Sequence, residues 1–137
     1  MLDDLKFIHE KDQQDALGIV EKQWQQLEHV FKLDWKPNTP VKNVVLAGMG
    51  GSALAGLLSN TWPDYSVPFE ICREYEIPAY VGPDTLFIAS SYSGNTEETI
   101  SSLLAAETAN AQNIIISSGG ELQEIEMAKN YPFSFLP

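Results

Sequence analysis

Cysteine and histidine are nearly absent from these 137 residues: Cys72 stands alone, with only His9 and His29 beside it. A single cysteine excludes a disulfide framework and suits a reducing, cytoplasmic setting. Two histidines without paired cysteines supply no convincing metal site. Cations are scarce as well: eight Lys and Arg stand against nineteen Asp and Glu, a formal net charge of −11. That balance disfavours nucleic acid and anionic membrane surfaces, which both need a basic footprint. No run of 18 apolar residues occurs, so no membrane-spanning helix is expected. The opening MLDDLKFIHEKDQQD lacks the basic and apolar regions of a signal peptide. Neither an internal repeat nor a low-complexity tract is present.

What the chain does have is an ordinary globular composition, 44% apolar, at a length that suits one domain. Leu17, Val20, Trp24, Leu27 and Phe31 recur at steps of three and four, predicting an amphipathic helix over residues 12–32 that needs a surface to cover. Pro37 and Pro40 end it. Beyond them, short apolar runs alternate with helical patterns. Strands are predicted at 43–47, 67–72, 85–90 and 113–117, with a last one at 132–136. Helices are predicted at 53–60, 95–109 and 121–129, and 73–80 (REYEIPAY) is an extended connection. Alternation at this spacing indicates βαβ units, a parallel sheet and right-handed crossovers. Ligands of such sheets sit beyond the carboxyl ends of the strands.

Three strands end in turns rich in glycine and serine: GMGGS, SYSGNT and SSGG. The first admits several readings. Gly48, Gly50 and Ala53 fit the dinucleotide-binding pattern G-x-G-x-x-[GA], with Glu70 placed as a ribose-binding acid. A P-loop is excluded, because no G-x-x-x-x-G-K-[ST] occurs. A small-ligand turn, with glycine N–H groups and the Ser52 hydroxyl facing an oxygen-rich ligand, fits as well. So does a tight turn with no ligand.

The second turn is more telling. Asn95 is spaced as an N-cap and Glu98 as its capping-box partner, which would by itself start the helix. The hydroxyls of Ser91, Ser93 and Thr96 are then surplus. A phosphate monoester would use them: it carries three acceptor oxygens and nearly two negative charges, and a helix start offers free N–H groups and a partial positive charge. Neutral local donors can hold such an anion on an acidic protein, since distant charges are screened. Glu97 and Glu98 are either acids favoured by the helix dipole or, for one of them, a proton carrier. Arg73 either faces a ligand or pairs with Glu74 or Glu76.

GMGGSALAG, REYEIPAYV, SYSGNTEETI and ISSGGEL together resemble sugar isomerase (SIS) domains, and more closely the first half of the bifunctional phosphoglucose/phosphomannose isomerases. The resemblance runs from about Val41 to the end of the chain. It implies a three-layer αβα sandwich with a five-stranded parallel sheet, preceded here by the amphipathic helix. Residues 1–40 would form the N-terminal helical segment and 41–137 the phosphosugar-binding domain. By motif match, Ser91, Ser93 and Thr96 would hold the phosphate, and Gly51 and Ser52 would lie against the sugar. In that family the catalytic glutamate, histidine and lysine lie in a second SIS domain, and an arginine follows soon after the position where this sequence ends.

The residues carry the same expectation independently. Aldose–ketose isomerisation needs an acid and a base within hydrogen-bond reach of the sugar, and both histidines fall in the N-terminal segment. The resemblance implies a role in hexose 6-phosphate recognition for glucose 6-phosphate or mannose 6-phosphate conversion to fructose 6-phosphate. No metal or organic cofactor is expected, and neither is a catalytic residue in this chain, so that alone it binds without turnover. The expected partner is a second SIS domain or a homodimer mate. A phosphosugar sensor without catalysis and a nucleotide-dependent oxidoreductase are the competing classes.

Overall fold

The computed structural model describes residues 4–61 and 64–136. The chain divides into two compact units, one ending at Phe31 and the other beginning at Lys32.

In the first unit, helix α1 spans Leu5–Lys11, with the Asp4 carboxylate accepting from the amides of Lys6 and Phe7 at its start. Helix α2 spans Ala16–Lys22 and runs into a 3-10 turn at Gln23–Glu28. The helix expected over 12–32 is therefore shorter and divided. The cause is local: both carboxylate oxygens of Asp12 are taken by the amides of Ala16 and Leu17 at 2.8 Å, and Asp15 turns left-handed at φ +52°. None of the residues of these elements is buried, and Val20, Trp24, Leu27 and Phe31 are exposed.

The second unit is a five-stranded parallel sheet in the order β2-β1-β3-β4-β5. Its strands are β1 (Asn43–Ala47), β2 (Phe69–Cys72), β3 (Thr85–Ser91), β4 (Gln112–Ser117) and β5 (Phe133–Phe135). The helices are α3 (Gly50–Ser59), α4 (Glu97–Thr108) and α5 (Gly120–Lys129). Right-handed crossovers in this strand order place α3 on one face of the sheet and α4 with α5 on the other, which is the expected three-layer arrangement.

Strand alternation divides the apolar runs between the faces. Val45, Ala47, Phe87, Ala89 and Ile115 are sealed beneath Leu103 and Ala106 of α4 and Leu122 of α5. On the opposite face Leu46 is buried under α3 and Ile114 is buried too, while Val44, Leu86, Ile88 and Ile116 remain half-buried. Gly56 lets α3 lie close, since a Cβ there would stand 3.3 Å from the Ile71 side chain. At the amino edge, the amide of Gln112 donates to Thr39 O and Pro83 O while its carbonyl accepts from Asn38 N, fixing the chain that enters β1.

Strand order reverses between β1 and β3: the chain goes outward to β2 on one side and to β4 and β5 on the other. In an open parallel sheet the crevice at that reversal, outside the carboxyl ends, is where ligands bind. The register aligns Ala47 with Ala89 and with Cys72, so the turns after β1, β2 and β3 leave the sheet at one level.

Candidate functional site

The GMGGS turn leaves β1 in contact with the end of β3. Gly48 is buried, and a Cβ there would meet Ser90 O at 2.9 Å, so the close approach requires glycine. Gly50 takes φ +50° at the entry to α3, and no side chain caps that helix. A Cβ on exposed Gly51 would meet nothing within 4 Å, so the space beside it is open. The half-buried Ser52 uses its Oγ to accept from Tyr92 N at 3.2 Å. That bond joins the turn after β1 to the turn after β3 and leaves the Ser52 proton free.

In the turn after β3, Ser91 is buried and Thr96 half-buried, their hydroxyls 2.7 Å apart. Ser91 Oγ also accepts from Gly94 N at 3.2 Å. One of the pair's two hydroxyl protons serves the bond between them, so the other remains available for an acceptor. Ser93 is exposed, and its Oγ accepts from Asn95 N at 3.3 Å. Helix α4 begins at Glu97 with Thr96 as N-cap and no side-chain cap bond. Its first internal bond runs from Ile100 N to Thr96 O, and the amides of Glu97, Glu98 and Thr99 have no acceptor among the described residues.

This corrects the expected capping box. Asn95 does not cap α4; its Oδ1 accepts from Glu121 N, at the start of α5, at 3.0 Å. The N-terminus of α4 is thereby left with free donors, together with hydroxyls from Ser93 and Thr96. The turns after β1 and β3 come together through the Ser52–Tyr92 bond, so Ser52 and the Ser91–Thr96 loop share one neighbourhood.

The REYEIPAY connection packs along the first turns of α4. Ser102 Oγ donates to Glu74 O at 2.7 Å and Ser101 Oγ to Tyr75 O at 3.1 Å. Tyr75 points its hydroxyl at Glu97, and the charges of Glu98 and Glu97 with slight burial raise its pKa. Arg73, exposed at the end of β2, forms no ion pair among the described residues, so pairing with Glu74 or Glu76 does not occur. Glu70 is engaged by Tyr80, whose hydroxyl donates to its Oε2 at 2.5 Å.

His9 lies in α1 and His29 follows the 3-10 turn. Among the described residues no three His, Cys, Asp or Glu side chains converge to hold a metal ion, and no helix is long and apolar enough to cross a membrane. Cys72 is buried, its thiol directed at Glu76 O at 3.1 Å.

Sequence reasoning grouped the turn after β4 with the other two but gave none of its residues a role. Ser118 donates both its amide and its hydroxyl to Tyr92 O, and Leu122 N donates to Gly94 O at 3.0 Å. Only the repeated Gly/Ser composition of SSGG hinted that this turn belongs with the other two.

A parallel 2-1-3-4-5 sheet with helices on both faces is a doubly wound α/β fold, and it is the fold found in phosphosugar isomerases of solved structure. A candidate phosphosugar isomerase of solved structure from Bacillus subtilis has this fold, with a TM-score of 0.59 at 20% identity over 74% of this chain and 32% of its own. Within that class the chain is homologous to the bifunctional phosphoglucose/phosphomannose isomerases. It is 40% identical to that enzyme of Caldicellulosiruptor bescii over 99 residues, 71% of this chain and 29% of the relative. A D-glucosamine-6-phosphate 4-epimerase of Sulfolobus acidocaldarius is 36% identical over 97 residues, 70% of this chain and 31% of the relative. The chain thus spans about three-tenths of the length of these curated relatives. No protein-family model matches it.

Proposed function

We propose that this chain binds the phosphate of a hexose 6-phosphate between the turns after β1 and β3, as the phosphosugar-recognition part of an aldose–ketose isomerase. The single observation that carries this reading is the start of α4. Three free amides begin that helix with no side-chain cap, and the exposed Ser93 hydroxyl and the Ser91–Thr96 pair with its spare proton lie in the loop that leads into it. A phosphate dianion matches that donor set and the helix dipole. Ser93 and Thr96 donate directly, Ser91 acts with Thr96, and Gly51 with Ser52 lies against the sugar. Residues 41–137 constitute this binding domain and 1–40 a helical segment preceding it.

The names of the relatives support the ligand class more broadly than the reaction. An isomerase and an epimerase share a phosphorylated hexose rather than a proton-transfer step. In the isomerase reading the substrates are glucose 6-phosphate or mannose 6-phosphate and fructose 6-phosphate, and the working partner is a second SIS domain or another copy of the chain in the cytoplasm. One observation favours binding without turnover by these 137 residues. Between 41 and 136 the only lysines are Lys42 and Lys129, both at the sheet's amino edge and both ion-paired, and there is no histidine. Phosphosugar sensing without catalysis is therefore the second reading.

Calorimetric titration of the chain with glucose 6-phosphate, fructose 6-phosphate, glucose and NAD tests the proposal. Both hexose phosphates are expected to bind, and glucose and NAD are not. Ser93→Ala and Thr96→Ala should each weaken binding about 10- to 100-fold, since a hydrogen bond to a charged group contributes about 1.5–3 kcal/mol. Unchanged affinity in both variants removes the site. Fructose 6-phosphate formation that survives repurification would overturn the expectation of no turnover.

A further inference from the structure

We infer that the β4–α5 turn, Ser117–Glu121, holds the β3–α4 loop in its ligand-competent shape, with Asn95 as the positioning residue that joins them. The inference rests on the proposed phosphate site and concerns what keeps that site preorganised.

Helix α5 cannot cap itself. Its N-cap is Gly119, which has no side chain. Two amides of its first turn are satisfied by the neighbouring loop instead: Glu121 N by Asn95 Oδ1 and Leu122 N by Gly94 O, both at 3.0 Å. Ser118 adds its amide at 3.0 Å and its hydroxyl, both to Tyr92 O. Residues 92, 94 and 95 of the loop are thus each tied to the β4–α5 turn. Ser93, between them, is held by backbone contact, because a Cβ on Gly120 (φ +69°) would lie 2.4 Å from Ser93 O. The contact is equally tight in reverse: a Cβ on Gly94 (φ +70°) would lie 1.8 Å from Gly119 O.

The two proposed phosphate donors, Ser93 and Thr96, flank Asn95, whose own side chain is turned to the neighbouring helix. A donor held in place by its neighbours loses little freedom when the ligand arrives, so the brace acts on affinity through ordering. Reciprocally, a ligand that fixes the loop must stabilise the turn bonded to it.

Hydrogen–deuterium exchange on the wild-type chain, with and without saturating glucose 6-phosphate, reads that reciprocity without any substitution. Peptides covering 117–123 are expected to exchange more slowly when ligand is bound. A cycle of Asn95→Ala and Thr96→Ala supplies the second reading. Asn95→Ala alone should weaken glucose 6-phosphate binding about tenfold, the scale of one lost hydrogen bond's ordering. In a Thr96→Ala background the same change should cost much less, because the brace works through the donors it places. A merely structural Asn95 would shift the melting temperature and leave the two losses multiplicative. Ligand binding with unaltered exchange over 117–123, or multiplicative losses in the cycle, overturns the inference alone. A wild-type chain that does not bind glucose 6-phosphate removes the phosphate site as well.

Discussion

Tyr80 places its hydroxyl on Glu70, and partial burial, the bond to Glu70 and the charge of Glu70 push its pKa up to about 12 from an ordinary value near 10. The folded state favours the neutral phenol. Its contribution is fully present below the ordinary value and is lost as pH rises through the folded one. Thermal unfolding followed from about pH 9 to 12 should show a loss of stability centred above pH 10 in the wild type. Tyr80→Phe should lack that component, and an identical pH profile in the variant would show that the pair contributes nothing. The same pair shows what spacing alone does not report: Glu70 has the spacing of a ribose acid from Gly48, and a tyrosine ten residues away also claims one of its carboxylate oxygens. Asn95 teaches a parallel lesson. Asn95 and Glu98 have capping-box spacing, yet Asn95 serves a helix 26 residues away, because Gly119 leaves that helix without a side chain of its own. Local spacing reports which bonds are available, and competition from a distant donor decides which one forms.

At the scale of elements, α5 is held at both ends. Its first turn is bonded to the β3–α4 loop. Lys129, near its last turn, pairs with Glu107 of α4 at 2.7 Å, a bond that lowers the Glu107 pKa and raises that of Lys129. The apolar anchor is Leu122, fully buried in the core that contains Leu103 and Ile115. Leu122→Ala should cost about 2–5 kcal/mol of stability, the usual range for truncating a buried leucine. Urea denaturation measures this, and a cost below about 1 kcal/mol would mean that α5 packs only loosely. The strands were legible because their apolar runs are short, β-branched and bounded by turns; β1 spans the predicted 43–47. The helix predicted over 12–32 was less so. Periodicity identifies the apolar face of a helix, but short helices without buried contacts are marginal, and the Asp12 carboxylate gives the backbone a competing arrangement.

For the molecule as a whole, a net charge of −11 makes an unusual host for a phosphate dianion. Neutral hydroxyls and amides act at contact distance, whereas all the acids except Glu97 and Glu98 lie outside the first turn of α4. Raising salt from 10 to 100 mM shortens the Debye length from about 30 to about 10 Å and screens the distant term more than the near one. Affinity for glucose 6-phosphate should therefore hold or rise, by about twofold, over that range. A tenfold loss, as a basic pocket shows, would mean that cations carry the binding. By itself the sequence determined the class of fold, the turns that matter and the chemistry they offer. Those follow from apolar periodicity and from glycine and hydroxyl content, which are properties of short stretches. Only the tertiary structure decided which turns meet at the strand-order reversal. It also decided that Asn95 belongs to α5, and that the turn after β4 braces the loop beside it. Those outcomes depend on bonds between residues far apart in the chain, and a hydrogen-bonding group takes whichever partner the packing brings within about 3 Å.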